Sequence, residues 1–320
     1  MLKQESSTGM HPPPRSTEGL WAFFRGELVP LSEARISVTT HAFNYGTAVF
    51  EGVRAYWNPE QEQLYGLDLL AHYRRLHRSA PILRLELRHS AEELVDITCE
   101  MLRRSEMHED AYIRPILYKS TEAVGVRLHN LDSDLVIFTL PFGKYIDTES
   151  GIRAMVSSWR RNDDNSIPAR AKITGGYVNG AFAKSEAQMN GYDEAIMLTH
   201  EGHVSEGSAE NLFIVRDGVL ITPAVSDNIL EGITRRHILE VAGDLGIGVL
   251  ERTIGRTELY QADELFLCGT GAQLAPVVEV DNRPIGTGTP GPITRRLHKI
   301  YFDAVRGRSE TYRGWLTPVY

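Results

Sequence analysis

Apolar and polar positions change period several times along the chain, and each change marks an element. Residues 20–38 alternate around Arg25-Gly26-Glu27, which predicts a hairpin over Leu20–Val38. Gln63–Gly66 reads as a short strand. Asp68 stands where it can cap a helix over Leu69–Ile82, apolar on one side through Leu69, Leu70, Tyr73 and Leu76. Ser90 and Glu93 form a capping box, with Leu94, Ile97, Met101 and Leu102 following at helical spacing. Strands Ala111–Lys119 and Asp134–Leu140 come next, and Pro141-Phe142-Gly143-Lys144-Tyr145 interrupts the pattern. Beyond it the pattern predicts strand Gly151–Arg160, a polar turn over Asn162–Ala169, and a helix over Val178–Met189 stopped by Asn190-Gly191. Strand Glu194–Thr199 follows, then a hairpin of Asn211–Val215 and Val219–Thr222 across Asp217-Gly218. A helix over Thr234–Leu245 ends at Gly246. Strands Val249–Thr253 and Leu265–Cys268 flank a helical piece at Glu258–Ala262. A hairpin at Asp281-Asn282 and a helix over Ile293–Val305 close the chain. The reading is α+β in four parts: a tail over 1–18, a small N-terminal domain over 19–140, a linker over 141–150 and a larger domain over 151–320.

Length supports two domains, since 320 residues is long for one core. The chain is 42% hydrophobic and 24% charged, as soluble globular proteins are. Its net charge of −8 is made of scattered charges with no basic stripe, so no nucleic-acid partner is expected. No apolar run approaches the ~20 residues of a membrane span. Cys99 and Cys268 fit no ligand spacing and read as buried reduced thiols of a cytoplasmic protein. The first 18 residues lack the basic start and apolar centre of a signal peptide and read as a flexible or docked tail. The run from Gly286 to Gly291 satisfies GxGxxG, but it follows a turn and contains Pro290, so no dinucleotide site is expected there. The histidines form no ligand pattern, and no metal is implied.

The candidate chemistry begins with Lys172, ahead of Gly175-Gly176-Tyr177, and Glu206, which lies 34 positions later in a carboxylate-rich turn over Ser205–Phe213. Lysine amines condense with carbonyl cofactors, and a pyridoxal ring also needs a partner for its pyridinium nitrogen. The glycines after Lys172 leave room for close approach. Glu206 and Glu210 both border Gly207-Ser208-Ala209, and on these residues alone either can be the partner. A phosphate needs amides and a cation. Gly232-Ile233-Thr234 opens a helix, and Gly269-Thr270-Gly271 follows a strand. Arg74, Arg75 and Arg78 each offer a guanidinium, and spacing does not choose among them. The segment Thr40–Trp57 carries His41, Phe43, Tyr45, Phe50 and Tyr56 among small residues, as a buried strand pair or a pocket wall would.

Six runs in order, His41–Gly52, Tyr112–Pro115, Ala171–Tyr177, Ser205–Phe213, Gly232–Arg235 and Cys268–Gly271, resemble the branched-chain amino acid aminotransferases of pyridoxal-phosphate fold type IV. The resemblance implies a two-domain fold whose larger part, 151–320, binds pyridoxal 5'-phosphate. Lys172 would hold the cofactor and move the substrate's proton, with Glu206 at the ring nitrogen and Tyr177 at the phenolic oxygen. Arg75, Ile233, Thr234 and Thr270 would hold the phosphate. Tyr45, Phe50, Tyr112 and Tyr145 would wall an aliphatic side chain. Arg114 would accept the distal carboxylate of glutamate or 2-oxoglutarate, and the Thr270-Gly271 amides the α-carboxylate. Gly271 stands where many members carry alanine, and Phe142 where some carry tryptophan. The implied activity is amino transfer from L-leucine, L-isoleucine or L-valine to 2-oxoglutarate. A D-amino acid or (R)-amine transaminase, or an aminodeoxychorismate lyase, would share the same lysine and glutamate. A homodimer or larger oligomer is implied, with small-domain loops closing the neighbour's pocket.

Overall fold

Two sheets, each backed by helices, carry the chain. The computed structural model describes residues 17–143 and 149–320, so Tyr145, half of the expected linker and the tail up to residue 16 lie outside the described residues. The first sheet takes β1 (Trp21–Phe24), β2 (Glu27–Pro30), β3 (Ala48–Phe50), β4 (Val53–Asn58), β5 (Gln63–Leu67), β6 (Ala111–Lys119) and β7 (Ser133–Pro141). The second takes β8 (Ile152–Arg160), β9 (Glu194–Leu198), β10 (Val204–Gly207), β11 (Asn211–Arg216), β12 (Val219–Thr222), β13 (Val249–Glu251), β14 (Glu264–Gly269), β15 (Gln273–Val280) and β16 (Arg283–Pro284). One further strand, β17 (Leu316–Pro318), returns to the first sheet. The order there is β17-β5-β4-β6-β7-β1-β2, with β3 also on β6. The second sheet runs β10-β9-β8-β15-β14-β11-β12-β13, with β16 on β15.

The helices are α1 (His41–Tyr45), α2 (Leu69–Ser79), α3 (Ala91–Arg104), α4 (Tyr177–Met189), α5 (Ile233–Asp244) and α6 (Pro292–Val305). α2 and α3 cover the first sheet through Leu69, Tyr73, Leu76, Leu94, Met101 and Leu102, which pack on Val53, Leu64, Ile113 and Ile137. Each such side chain contributes about 1.5–3 kcal/mol on burial. The second sheet is buried on both faces, so its strands read as apolar runs. In β14, Leu265 and Leu267 enter one core while Phe266 and Cys268 meet α5 and α6 in another.

The capping box at Ser90 and Glu93 forms, and both Arg25-Gly26 and Asp217-Gly218 take the positive φ values of two-residue hairpin turns. Four expectations change. The first hairpin ends at Pro30, because a 3-10 turn over Leu31–Glu33 follows. The helix after Asp68 ends at Ser79 and continues as a 3-10 turn over Ala80–Leu83. Asp68 holds the N-cap position, but its side chain makes no capping hydrogen bond. Its φ is +47°, and its carboxylate accepts from His237 Nε2 at 2.9 Å and from Arg236, fastening the start of α2 to α5. Finally, Glu206 lies in strand β10 rather than in a turn, because residues 204–207 pair with β9.

Candidate active site

The segment bearing Lys172 is stitched to the first sheet. Phe50 N donates to Lys172 O at 2.9 Å, Gly175 N to Gly46 O at 3.2 Å, and Thr174 Oγ1 to Gly46 O at 2.8 Å. A Cβ on Gly46 would lie 2.7 Å from Gly175 Cα, so two glycines permit this crossing of backbones. That corrects one expectation. Gly175 faces Gly46 and Gly176 faces Ile167, so these glycines admit protein rather than leave room for a ligand. The Lys172 ammonium stands 5.2 Å from the ring centroids of both Phe50 and Tyr177, and no hydrogen bond or salt bridge ties it among the described residues.

A cleft opens beside it. Arg75, Lys172, Tyr177, Glu206, Ile233, Thr234 and Thr270 all line this cleft. Arg75 is the arginine that turns inward, while Arg74 and Arg78 stay exposed. The start of α5 supplies Ile233 and Thr234, and Gly232 before it is hemmed in, since a Cβ there would meet Asn211 Oδ1.

The two carboxylates of the glutamate segment have different surroundings. Glu206 is buried, with Oε1 2.8 Å from Arg161 Nη2 and Oε2 accepting from Asn211 Nδ2 at 3.0 Å and Leu230 N at 3.1 Å. Burial pushes its carboxyl up despite Arg161, which suits it to a further cationic N–H donor. Glu210 is turned to Ala209 N at 3.0 Å, near Glu194 and Lys184. Only Glu206 lines the cleft.

The residues expected to meet substrate form a second group. Phe50 packs edge-on against Tyr177 at 4.7 Å, and the Arg114 guanidinium lies 4.4 Å from the Phe50 ring centroid. Arg114 Nη2 donates to Tyr112 Oη at 2.7 Å, and the Tyr112 and Phe142 rings are 5.1 Å apart. Gly52 admits the Tyr112 hydroxyl, which a Cβ there would meet. Thr270 and Gly271 are gripped from behind by Arg54, which donates from Nε to Thr270 O at 2.9 Å and from Nη2 to Gly271 O at 3.1 Å. Tyr45 stands apart from these contacts: its hydroxyl accepts from Gly125 N at 3.1 Å and its ring meets His41.

Sequence reading missed Glu51, Arg54, Arg161 and Asn211. The signal was present for two of them. Glu51 and Arg54 are charges inside the apolar run Ala48–Tyr56, and a charge in a buried strand is kept only where it is paired.

Comparison with known proteins decides the family. The family described as Amino-transferase class IV matches residues 48–280. A probable branched-chain-amino-acid aminotransferase of Aquifex aeolicus is 56% identical over 301 residues, 94% of this chain and 97% of its own. The chain belongs to the class IV aminotransferases. Within them it belongs with the branched-chain-amino-acid aminotransferases; the Escherichia coli K12 enzyme of that name is 40% identical over 93% of this chain and 97% of its own. The structure of the branched-chain aminotransferase from Thermoproteus uzoniensis with norvaline superposes with a TM-score of 0.90 at 47% identity, covering 94% of this chain and 99% of the other. The branched-chain amino acid aminotransferase from Thermobaculum terrenum, in its pyridoxal-phosphate holo-form, gives 0.90 at 37% identity, covering 95% and 100%. Class IV aminotransferases work with pyridoxal phosphate. The donor set of this aminotransferase fits that group: an untied lysine, a buried carboxyl suited to a ring N–H, and a helix start beside a guanidinium.

Proposed function

We propose that the chain transfers the amino group of L-leucine, L-isoleucine or L-valine reversibly to 2-oxoglutarate, in a ping-pong cycle. The observation that carries the reading is the aromatic wall beside Lys172, where Phe50, Tyr112 and Phe142 stand together and Arg114 lies against Phe50 and Tyr112. Pyridoxal phosphate, when bound, supplies the electron sink for the negative charge left at the substrate Cα. Lys172 Nζ would take up the proton from the substrate Cα and give it back. Glu206 would keep the ring nitrogen protonated, and Tyr177 would donate to the phenolic oxygen. Arg75, the amides of Ile233 and Thr234, and Thr270 would hold the phosphate. The Thr270-Gly271 amides take the α-carboxylate. Phe50 and Tyr112 would exclude water from the aliphatic side chain, at about 0.8 kcal/mol for each CH₂ buried. Arg114 takes the distal carboxylate in the second half of the cycle. The proposed domain division is 19–140 and 151–320, with the strand Leu316–Pro318 returning to the first sheet.

The decisive experiment is the absorption spectrum of the holoenzyme, with L-leucine, D-alanine and an (R)-amine added in parallel. L-Leucine alone should convert the cofactor band to the pyridoxamine form. Conversion by D-alanine or the amine alone would instead mark a D-amino acid or (R)-amine transaminase. Pyruvate release from aminodeoxychorismate would mark the lyase. Lys172→Ala should abolish turnover and borohydride trapping of the cofactor; trapping at another lysine overturns the assignment.

We also infer a cytoplasmic homodimer or larger homo-oligomer. Val38, Phe43, Val124 and Val126 are 66–90% exposed, and the segments that carry them are joined by the Thr40–Glu122 bridge and by a His41 hydrogen bond to Gly125 O. Such an apolar patch is ordinarily covered by a partner.

A further inference from the structure

We propose that Glu51 is the positioning residue for Arg75, fixing which edge of its guanidinium faces the cofactor phosphate. The inference rests on the pyridoxal-phosphate reading above. Glu51 lies in the gap between β3 and β4, opposite Arg114 and Pro115 of β6, where the ladder changes partner. Pro115 has no N–H to lose there, and its carbonyl accepts from Glu51 N at 2.9 Å. The Glu51 side chain is thereby sent inward and is fully buried.

Its two oxygens are both used. Oε1 accepts from Arg75 Nε at 2.8 Å and Oε2 from Arg75 Nη2 at 2.6 Å, a two-point clasp of one guanidinium edge. Oε2 also accepts from His72 Nδ1 at 2.7 Å. Arg75 Nη1 donates to Glu231 O, at the residue before the turn into α5, at 2.9 Å. A guanidinium has five N–H donors. Three are taken, leaving one on Nη1 and one on Nη2 for an anion. Burial alone would raise the Glu51 carboxyl, but Arg75 and then His72 outweigh it and hold it down to about 2. Burial also disfavours the charged form of His72. The unit at neutral pH is therefore a carboxylate, a guanidinium and a neutral imidazole. Arg75 arrives at the cleft already paired, and its contribution to a phosphate lies in directed hydrogen bonds more than in free positive charge.

The test is equilibrium binding of pyridoxal 5'-phosphate and of unphosphorylated pyridoxal to the apoenzyme, for the parent protein, Glu51→Gln and Glu51→Asp. Glutamine turns an amide N–H toward an Arg75 donor, and aspartate keeps the charge but shortens the reach. We expect Kd for the phosphorylated cofactor to rise about tenfold or more in Glu51→Gln, as loss of charge-assisted hydrogen bonds implies, and less in Glu51→Asp. Pyridoxal binding should stay within about twofold. The ³¹P resonance of the bound cofactor should move in Glu51→Gln relative to the parent. Equal weakening of both ligands, or no weakening of either, overturns the inference. A parent protein that binds pyridoxal as tightly as its phosphate overturns the phosphate-site reading itself.

Discussion

Glu210 shows what burial does to a charge that has no clasp of its own. Burial and the neighbouring Glu194 push its carboxyl up to about 8, although Lys184 acts against this. A carboxyl whose folded value is raised stabilises the fold below its unfolded value, and that stability is lost as pH rises toward about 8. Glu210→Gln removes the ionisation and keeps the acceptor for Ala209 N. Its melting temperature should match the parent's near pH 5 and exceed it at pH 9; an equal shift at both values would mean that the residue acts through packing alone. The contrast with Glu51 explains what the sequence made legible at this scale. Lys172 and Glu206 stand out by their glycine-rich surroundings and spacing. The choice of Arg75 over Arg74 and Arg78, and the parts taken by Glu51, Arg54 and Arg161, depend on partners far along the chain. Arg54, for instance, finds its acceptors at Gly143 and at Thr270 and Gly271.

Elements with a strong local signal were readable almost to the residue. The capping box fixes the start of α3, and β6 spans the same nine residues as the alternation in the sequence. Elements made by pairing alone were not. Strands β10 and β17 are short, and α1 is a single turn ended by Gly46. Helix α4 shows how a short-range feature serves a long-range one. Gly180 on α4 rests against Ser208 O, just beyond the strand that carries Glu206, and a Cβ there would collide with that carbonyl. Gly180→Ala should therefore destabilise the protein by about 1–3 kcal/mol, despite alanine's better helix propensity. Urea unfolding checks this, and a gain in stability would show that the helix can shift freely.

The two sheets share an apolar core in which Tyr56 and Leu67 pack with Phe213, Phe266 and Tyr301, and directional ties cross between them, among them the Lys172 segment on Gly46–Phe50, Arg54 on the Thr270 turn, Asp68 on α5 and Arg306 on Asp110. At the same scale, Val124→Asp should shift sedimentation toward the monomer if the apolar patch is the subunit contact, and an unchanged oligomer would place the contact elsewhere. The return of β17 to the first sheet bears on how the molecule is made. Leu316 pairs with Leu67, and Val319 is buried in the core of the first sheet. A ribosome releases the N-terminal end first, yet the edge of β5 finds its partner only when Leu316–Pro318 emerges. Until then the nascent first sheet carries an open strand edge, which is the feature that invites pairing with other chains. A polypeptide ending before Leu316 would keep Lys172 but leave the first sheet unfinished.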